Sequence, residues 1–176
     1  MKGLLIKNGL FGRVSVKRPF LNNKQIKNRL DFAKNYSAWT ANQWGKVIFS
    51  DETLIQLKPT RRVYVRRTIS QCYRKPYTIK TVKYGSKSIM IWGAIKSDGN
   101  RMLILLMKNA DSIEYQRVLK EGLFLIYKSD SVFQHDGAPC HRSKSTDVFL
   151  SNNGICTITD WPAQSPDINI IENILN

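Results

Sequence analysis

The most constraining stretch of this chain is a pair of apolar runs, Ser88 to Ile95 and Met102 to Met107, set on either side of Asp98 and Gly99. Asp-Gly accommodates the positive backbone angles that a tight hairpin turn demands, so the two runs are expected to pair as antiparallel strands. That hairpin commits the fold to a sheet. A chain of 176 residues can cover a sheet with helices around one sizeable core but does not hold two full domains. With 42% apolar and 10% aromatic residues, it has enough apolar surface to fold.

The remaining elements follow from periodicity and caps. Ile26, Leu30 and Ala33 recur at helical spacing from Asn22 or Asn23 to Tyr36. Thr40 and Gln43 have capping-box spacing and start a short second helix, after which Val47, Ile48 and Phe49 form a strand ending in Ser50, Asp51 and Glu52. Asp111 with Glu114 opens a helix to about Lys128, and Val132 to His135 is a short strand running into Asp136. Ser143 to Asn153 reads as a helix stopped by Gly154, Ile155 to Thr159 as a β-branched strand, and Asn169 as the start of a last helix containing Glu172. The order describes an α/β fold, a mixed sheet flanked by helices, with later strands made parallel by crossover helices.

Charge is distributed unevenly. Lys and Arg number 28 against 13 acids, a net charge of +15. Eight bases precede the first acid, Asp31, and eleven more lie between Thr53 and Ser97 without one Asp or Glu. The second group is Lys58, Arg61, Arg62, Arg66, Arg67, Arg74, Lys75, Lys80, Lys83, Lys87 and Lys96, interleaved with Tyr64, Tyr73, Tyr77 and Tyr84. Such a mixture neutralises phosphates and offers faces for stacking. A solvated basic surface with core tyrosines is the plainer alternative; the missing acids favour DNA. Anionic lipid has the same charge arithmetic.

The longest apolar run, Met102 to Met107, is six residues, against roughly 20 for a bilayer span. No membrane partner is expected. Gly, Asn and Arg interrupt the apolar start before a secretory core forms. Cys72, Cys140 and Cys156 lack C-x-x-C spacing, which points to a reducing, intracellular setting.

Ligands gather at the carboxyl ends of parallel strands, so Asp51 and Asp136 on neighbouring strands are expected side by side. Two close carboxylates repel unless a cation lies between them, and Mg²⁺ or Mn²⁺ suits that space. Two such ions about 3.5 to 4 Å apart can serve the attacking and leaving oxygens of a phosphodiester. Glu172 is the third candidate ligand, although Asn169 to Glu172 is also a capping-box spacing. Glu52 points to the opposite strand face from Asp51, so shared ligation is not expected of it. Asp167 reads as a turn or cap residue, His135 as a packing residue, and Trp161 with Pro162 as positioning the loop before Glu172.

Three segments, WGKVIFSDET (Trp44 to Thr53), VFQHDGAPCHRS (Val132 to Ser143) and DWPAQSPDINIIEN (Asp160 to Asn173), resemble in order and spacing the catalytic blocks of Tc/mariner-type transposases. The hairpin and the stretch Gly12 to Trp39 extend the resemblance over nearly the whole chain. It implies an RNase H-like DDE catalytic domain over residues 41–176, with a basic insertion at about 53–87, behind a remnant of a DNA-binding module, a linker and a helix in residues 1–40. It implies further that Asp51, Asp136 and Glu172 bind two Mg²⁺ or Mn²⁺ ions, cut transposon ends and join a 3′ hydroxyl to target DNA. The partners implied are double-stranded DNA, as transposon ends and target, and a second subunit in a possible homodimer, in the nucleus. Arg61, Arg62, Arg66, Arg67, Arg74, Lys75, Lys80, Lys83 and Lys87 fall where the family contacts DNA and the partner subunit. His141 is placed near the scissile phosphate, with a surface histidine after a proline loop as the equal alternative.

The chain departs from the pattern in several places. Thirty-five residues, 137–171, separate Asp136 from Glu172, one more than the most familiar Tc-type spacing. The resemblance leads one to expect paired helix-turn-helix modules before residue 18 and a longer Glu172 helix; without them in these 176 residues, sequence-specific end recognition is expected to be lost. Ile170 stands where relatives usually have a proline that pre-organises the helix. Three functions are therefore weighed: a metal-dependent transposase domain, an inactive remnant binding DNA by charge, and a generic RNase H-like nuclease or RNA-binding protein.

Overall fold

The computed structural model describes residues 2–8, 11, 20–56, 65, 66, 68, 70, 74, 75, 88–107 and 111–175. After α1 (Lys2–Lys7), α2 (Asn23–Asn35) begins at Asn22, whose side chain accepts from Gln25 N–H while the Gln25 side chain accepts from Asn22 N–H, both at 2.9 Å. Thr40 and Gln43 repeat this capping box at α3 (Ala41–Gly45), as their spacing predicts.

Four strands follow: β1 (Val47–Gln56), β2 (Ser88–Ile95), β3 (Arg101–Leu106) and β4 (Val132–Gln134), in the sheet order β3-β2-β1-β4. The expected hairpin is present, with Met90 opposite Leu106 and Ile95 opposite Arg101. Its turn places Gly99 at φ 85°, the left-handed region that glycine enters without a Cβ clash. A crossover returns the chain so that β4 runs parallel to β1. It is built from α4 (Ser112–Val118), capped by Asp111, a π-helical turn (Leu119–Leu123) and α5 (Phe124–Ile126). Next come α6 (Lys144–Asn152), which gives way to Gly154 at φ 67°, and α7 (Glu172–Leu175).

Several boundaries differ from expectation. β1 does not end at Glu52 but continues to Gln56, because β2 keeps pairing along it from Phe49 to Gln56. Residues 155–159 form no strand; a single parallel bridge joins Thr157 to Phe133, since β4 has only three residues to offer. The helix after Asp111 is interrupted by the π-turn, where Gly122 lies against Trp92. The last helix starts at Glu172, after a 3₁₀ turn at Pro166–Ile168.

Side-chain alternation along β1 divides the interior in two. Ile48 joins Trp92, Leu106, Tyr115, Leu123 and Phe133 beneath the crossover helix. Val47 and Phe49 face the other way, against Phe32, Ile158, Trp161 and Ile171. Tyr36, Trp39 and Trp44 continue that second core as an aromatic cluster, with Phe32 and Tyr36 centroids 4.5 Å apart, so α2 packs on the same sheet as the strands. Among the described residues no helix is long and apolar enough to cross a membrane.

Gly122 is the tightest point of the first core. A Cβ there would stand 2.6 Å from Trp92 Cζ3, and Trp92 is fully buried. Gly122→Val should therefore destabilise the protein by about 3 kcal/mol, the upper part of the overpacking range, read as a lower urea midpoint at unchanged m-value. A midpoint equal to wild type would mean that the crossover helix sits farther from β2.

Candidate active site

Alternation along β1 directs Asp51 to the face shared by Val47 and Phe49, and Glu52 to the face shared by Ile48 and Ser50. β4 pairs with β1 only as far as Phe49 and Gln134. Ser50 closes the end of the ladder, its N–H donating to Gln134 Oε1 (3.2 Å) and its hydroxyl to the Gln134 carbonyl (2.9 Å). Beyond that stitch the chain leaves the sheet at His135 and Asp136, opening a crevice beside Asp51 at the carboxyl end of a parallel strand pair, where open α/β sheets bind ligands. The crevice, about 400 Å³, is lined by Asp51, Asp136, Arg142, Trp161, Asn169 and Glu172 among others.

Glu172 arrives from the opposite end of the chain. Gly93 is the β2 partner of Asp51, and a Cβ on it would come within 3.2 Å of Ile171 Cδ1, 3.3 Å of Leu103 Cδ2 and 3.4 Å of Leu175 Cδ1. The missing side chain lets α7 lie directly on the sheet. Asn169 does not cap this helix with its side chain; its Nδ2 donates to the Ser50 carbonyl at 3.1 Å and ties the preceding turn to β1. Glu172 is thereby brought into a hydrogen bond with Asp51. Burial, then this contact with a second carboxyl, push Asp51 up to about 7, against the opposing effect of the Glu52 N–H that donates to Asp51 Oδ1 at 2.8 Å.

Asp136 has the opposite electrostatics. Its Oδ1 accepts from His141 Nδ1 at 2.6 Å and from Ala138 N–H at 2.9 Å, and the imidazole holds this carboxyl below its usual range. Burial opposes charge on His141, which is 2% exposed, but Asp136 and Glu52 outweigh burial and raise the ring to about 10. Glu52 Oε1 lies 3.3 Å from His141 Nε2. The neighbouring His135, with its ring centroid 5.3 Å away, is pushed down to about 4 by burial and by His141, and its Nδ1 shares a hydrogen bond with the Tyr115 hydroxyl at 3.1 Å. One ring of the pair is charged and the other neutral.

The three carboxylates singled out in the sequence thus line one crevice, with Asp51 and Glu172 in contact. His141 is buried beneath the crevice instead of on the surface. Glu52 does face away from Asp51, as expected, yet Glu52, Asp136 and His141 offer oxygen and nitrogen atoms all within 4.8 Å of one another. The loop after β4 folds back under β1 and meets Glu52 from the other face, a convergence that strand alternation alone does not reveal. Arg66, Arg74 and Lys75 are exposed, while Arg61, Arg62, Arg67, Lys80, Lys83 and Lys87 lie outside the described residues.

The loop before α7 is held from α2. Arg29 donates to both Asp167 carboxylate oxygens and to Ser165 Oγ (2.6 Å), and Tyr36 donates to Asp160 at 2.7 Å. Neither Arg29 nor its pairing is signalled by the sequence. Because Asp167 is 61% exposed, Arg29→Ala should cost only about 1 kcal/mol, seen as a small drop in melting temperature. No change at all would mean that this lock contributes nothing to the loop.

No family model matches the chain. It is 32% identical over 171 residues to the Tc1 transposase of Caenorhabditis elegans, a match covering 94% of this chain and 62% of that protein. It is 30% identical over 171 residues to the Tcb1 transposase of Caenorhabditis briggsae, with the same coverage. Over these residues the chain is similar to Tc-type transposases. It spans less than two thirds of the length of those relatives. Its fold matches that of the Mos1 transposase in a paired-end complex with the left transposon end, at TM-score 0.69 and 18% identity, over 98% of this chain and 53% of that one. The isolated catalytic domain of Mos1 matches at TM-score 0.55 and 16% identity, over 90% of this chain and 71% of that one. The chain therefore has the RNase H-like mixed sheet expected from its sequence.

Proposed function

We propose that this chain is the catalytic domain of a DNA transposase, which cleaves phosphodiesters at transposon ends and joins the freed 3′ hydroxyl to target DNA. The observation that carries the reading is the contact between Asp51 and Glu172 in a crevice that Asp136 also lines. Two carboxyls in contact, one of them raised to about 7, form a site whose repulsion a cation relieves. The donor set is entirely oxygen, which fits the hard ions Mg²⁺ and Mn²⁺. Asp51, Asp136 and Glu172 would hold two of them, and such a pair activates an attacking oxygen and stabilises a leaving one.

The chain's own residues supply the setting. Asp51 would give up its proton on binding a cation, the His141 ring favours the ionised form of Asp136, and Arg142 offers a cation at the rim for a phosphate. Exposed bases such as Arg66, Arg74 and Lys75 extend a positive surface for DNA. Solved Mos1 structures include a strand transfer complex and paired-end complexes with Mg and with Mn, which support DNA and a divalent ion as partners here. A homodimer acting on two ends in the nucleus completes the proposal.

The test is incubation with Mn²⁺ and pre-cut transposon-end DNA, alongside RNA of the same sequence. Nicked and joined DNA products, lost in Asp136→Ala, are expected. DNA binding that falls steeply with salt, with no product from either protein, would assign the chain to charge-driven binding alone. Cleavage without joining, or of RNA in preference, would assign it to a generic nuclease.

A further inference from the structure

The residue after the first catalytic carboxylate has no role in the mechanism above, yet the fold partly buries it at the back of the site. We infer that Glu52 is a positioning residue, which acts through His141 to fix the orientation of Asp136. The inference rests on the assignment of Asp136 as a metal ligand.

The argument begins with the strand. Asp51 and Glu52 point to opposite faces of β1, so Glu52 cannot share the crevice with Asp51. On its own face it meets His141, with Glu52 Oε1 3.3 Å from Nε2, while the other ring nitrogen of His141 contacts Asp136 Oδ1 at 2.6 Å. One imidazole therefore bridges a residue of β1 to a residue beyond β4, just past the point where the ladder between those strands has ended. No backbone pairing holds the two together there; the Glu52–His141–Asp136 bridge takes its place.

The centre of the bridge is enclosed. His141 is 2% exposed, and its ring lies 4.0 Å, centroid to centroid, from Tyr115, which is fully buried. Glu52 Oε1 and His141 Nε2 are both shielded from solvent and have no aligned hydrogen-bond partner, so each is the other's nearest polar compensation. Stacked on Tyr115, bonded to Asp136 through Nδ1 and approached by Glu52 at Nε2, the ring holds Asp136 Oδ1 at its edge. The second Asp136 oxygen is left for the crevice. Outer residues that orient a ligand in this way typically govern metal affinity by about ten- to a hundredfold.

The test is the Mn²⁺ dissociation constant of the full chain, measured by electron paramagnetic resonance without DNA, for wild type, Glu52→Gln, Glu52→Asp and Asp136→Ala. Glu52→Gln keeps the shape of the side chain and removes its charge. It is expected to weaken Mn²⁺ binding about tenfold with a cooperative melt retained, and Glu52→Asp to recover part of that loss. An affinity within about twofold of wild type in Glu52→Gln, while Asp136→Ala loses binding, would overturn the inference and leave the metal assignment standing. Unchanged binding in Asp136→Ala would overturn both. Should Glu52→Gln fail to fold, the wild-type chain decides. A slowly exchanging His141 Nε2 proton in nitrogen-correlated NMR spectra is expected from the enclosed contact with Glu52, and its absence would overturn the inference.

Discussion

Asp51→Asn should raise the melting temperature of the metal-free protein at pH 8 and at the same time abolish Mn²⁺-dependent strand cleavage. Asp51 is half-buried against Glu172 and titrates near 7 in the folded chain, well above the ordinary carboxyl value. A group whose folded value is raised contributes stability that is present at low pH and is lost as pH rises through the folded value. Metal-free wild type is therefore penalised above pH 7 by a carboxylate that the fold disfavours. The penalty shrinks between pH 7 and about 4 as the proton returns. An amide at position 51 carries no charge and can still donate to Glu172. Discounted for solvent screening, the gain is about 1–2 kcal/mol, or roughly 2–6 °C for a chain of this size, and it should vanish below pH 4. Catalysis moves the opposite way, because a metal ligand is lost; a deficit of about 4 kcal/mol corresponds to roughly a thousandfold. Calorimetry in EDTA across pH, paired with the nicking assay, checks both halves. A destabilised variant at pH 8 would mean that Asp51 and Glu172 do not repel.

Gly93→Val should reduce strand cleavage by about a hundredfold, the effect of a misplacement on the order of 1 Å, while lowering stability by only about 1–3 kcal/mol. Gly93 lies across from Asp51 in the β1–β2 register, beneath Ile171 and Leu175. A branched side chain would occupy the space that α7 needs and lift Glu172 from Asp51. The main core lies under the other face of the sheet and is not disturbed. The informative comparison is Gly93→Ala, whose single methyl meets three side-chain termini at 3.2–3.4 Å and should give an intermediate rate. Equal cleavage rates in wild type and Gly93→Val would separate Glu172 from the chemistry.

What the sequence makes legible is local. The Asp98-Gly99 turn, the Thr40 capping box and the Gly154 stop each depend on a few neighbouring residues, and each forms as read. That Asp51 and Asp136 line one crevice is legible too, because it follows from parallel pairing of two short apolar runs. Elements that depend on a partner's length are not. Residues 155–159 have strand composition, but β4 is too short to extend a ladder to them, and β1 outlasts its apolar start because β2 supports it. Asn169 and Glu172 have the spacing of a cap, and tertiary partners claim both side chains instead: Ser50 for the asparagine and Asp51 for the glutamate. The role of Glu52 was hidden for the same reason. Alternation fixes which way it points, whereas only the fold-back of the loop after β4 determines what it meets.

The central claim is that Asp51, Asp136 and Glu172 form one divalent-cation site. Anomalous diffraction at the manganese edge, from crystals of this chain soaked in Mn²⁺ at pH 8, tests it most directly. The account predicts density in the crevice within coordinating reach, about 2.0–2.4 Å, of Asp51 and Asp136 oxygens, with Glu172 turned toward it. Manganese bound elsewhere on the chain, with Asp51 still hydrogen-bonded to Glu172, would contradict it.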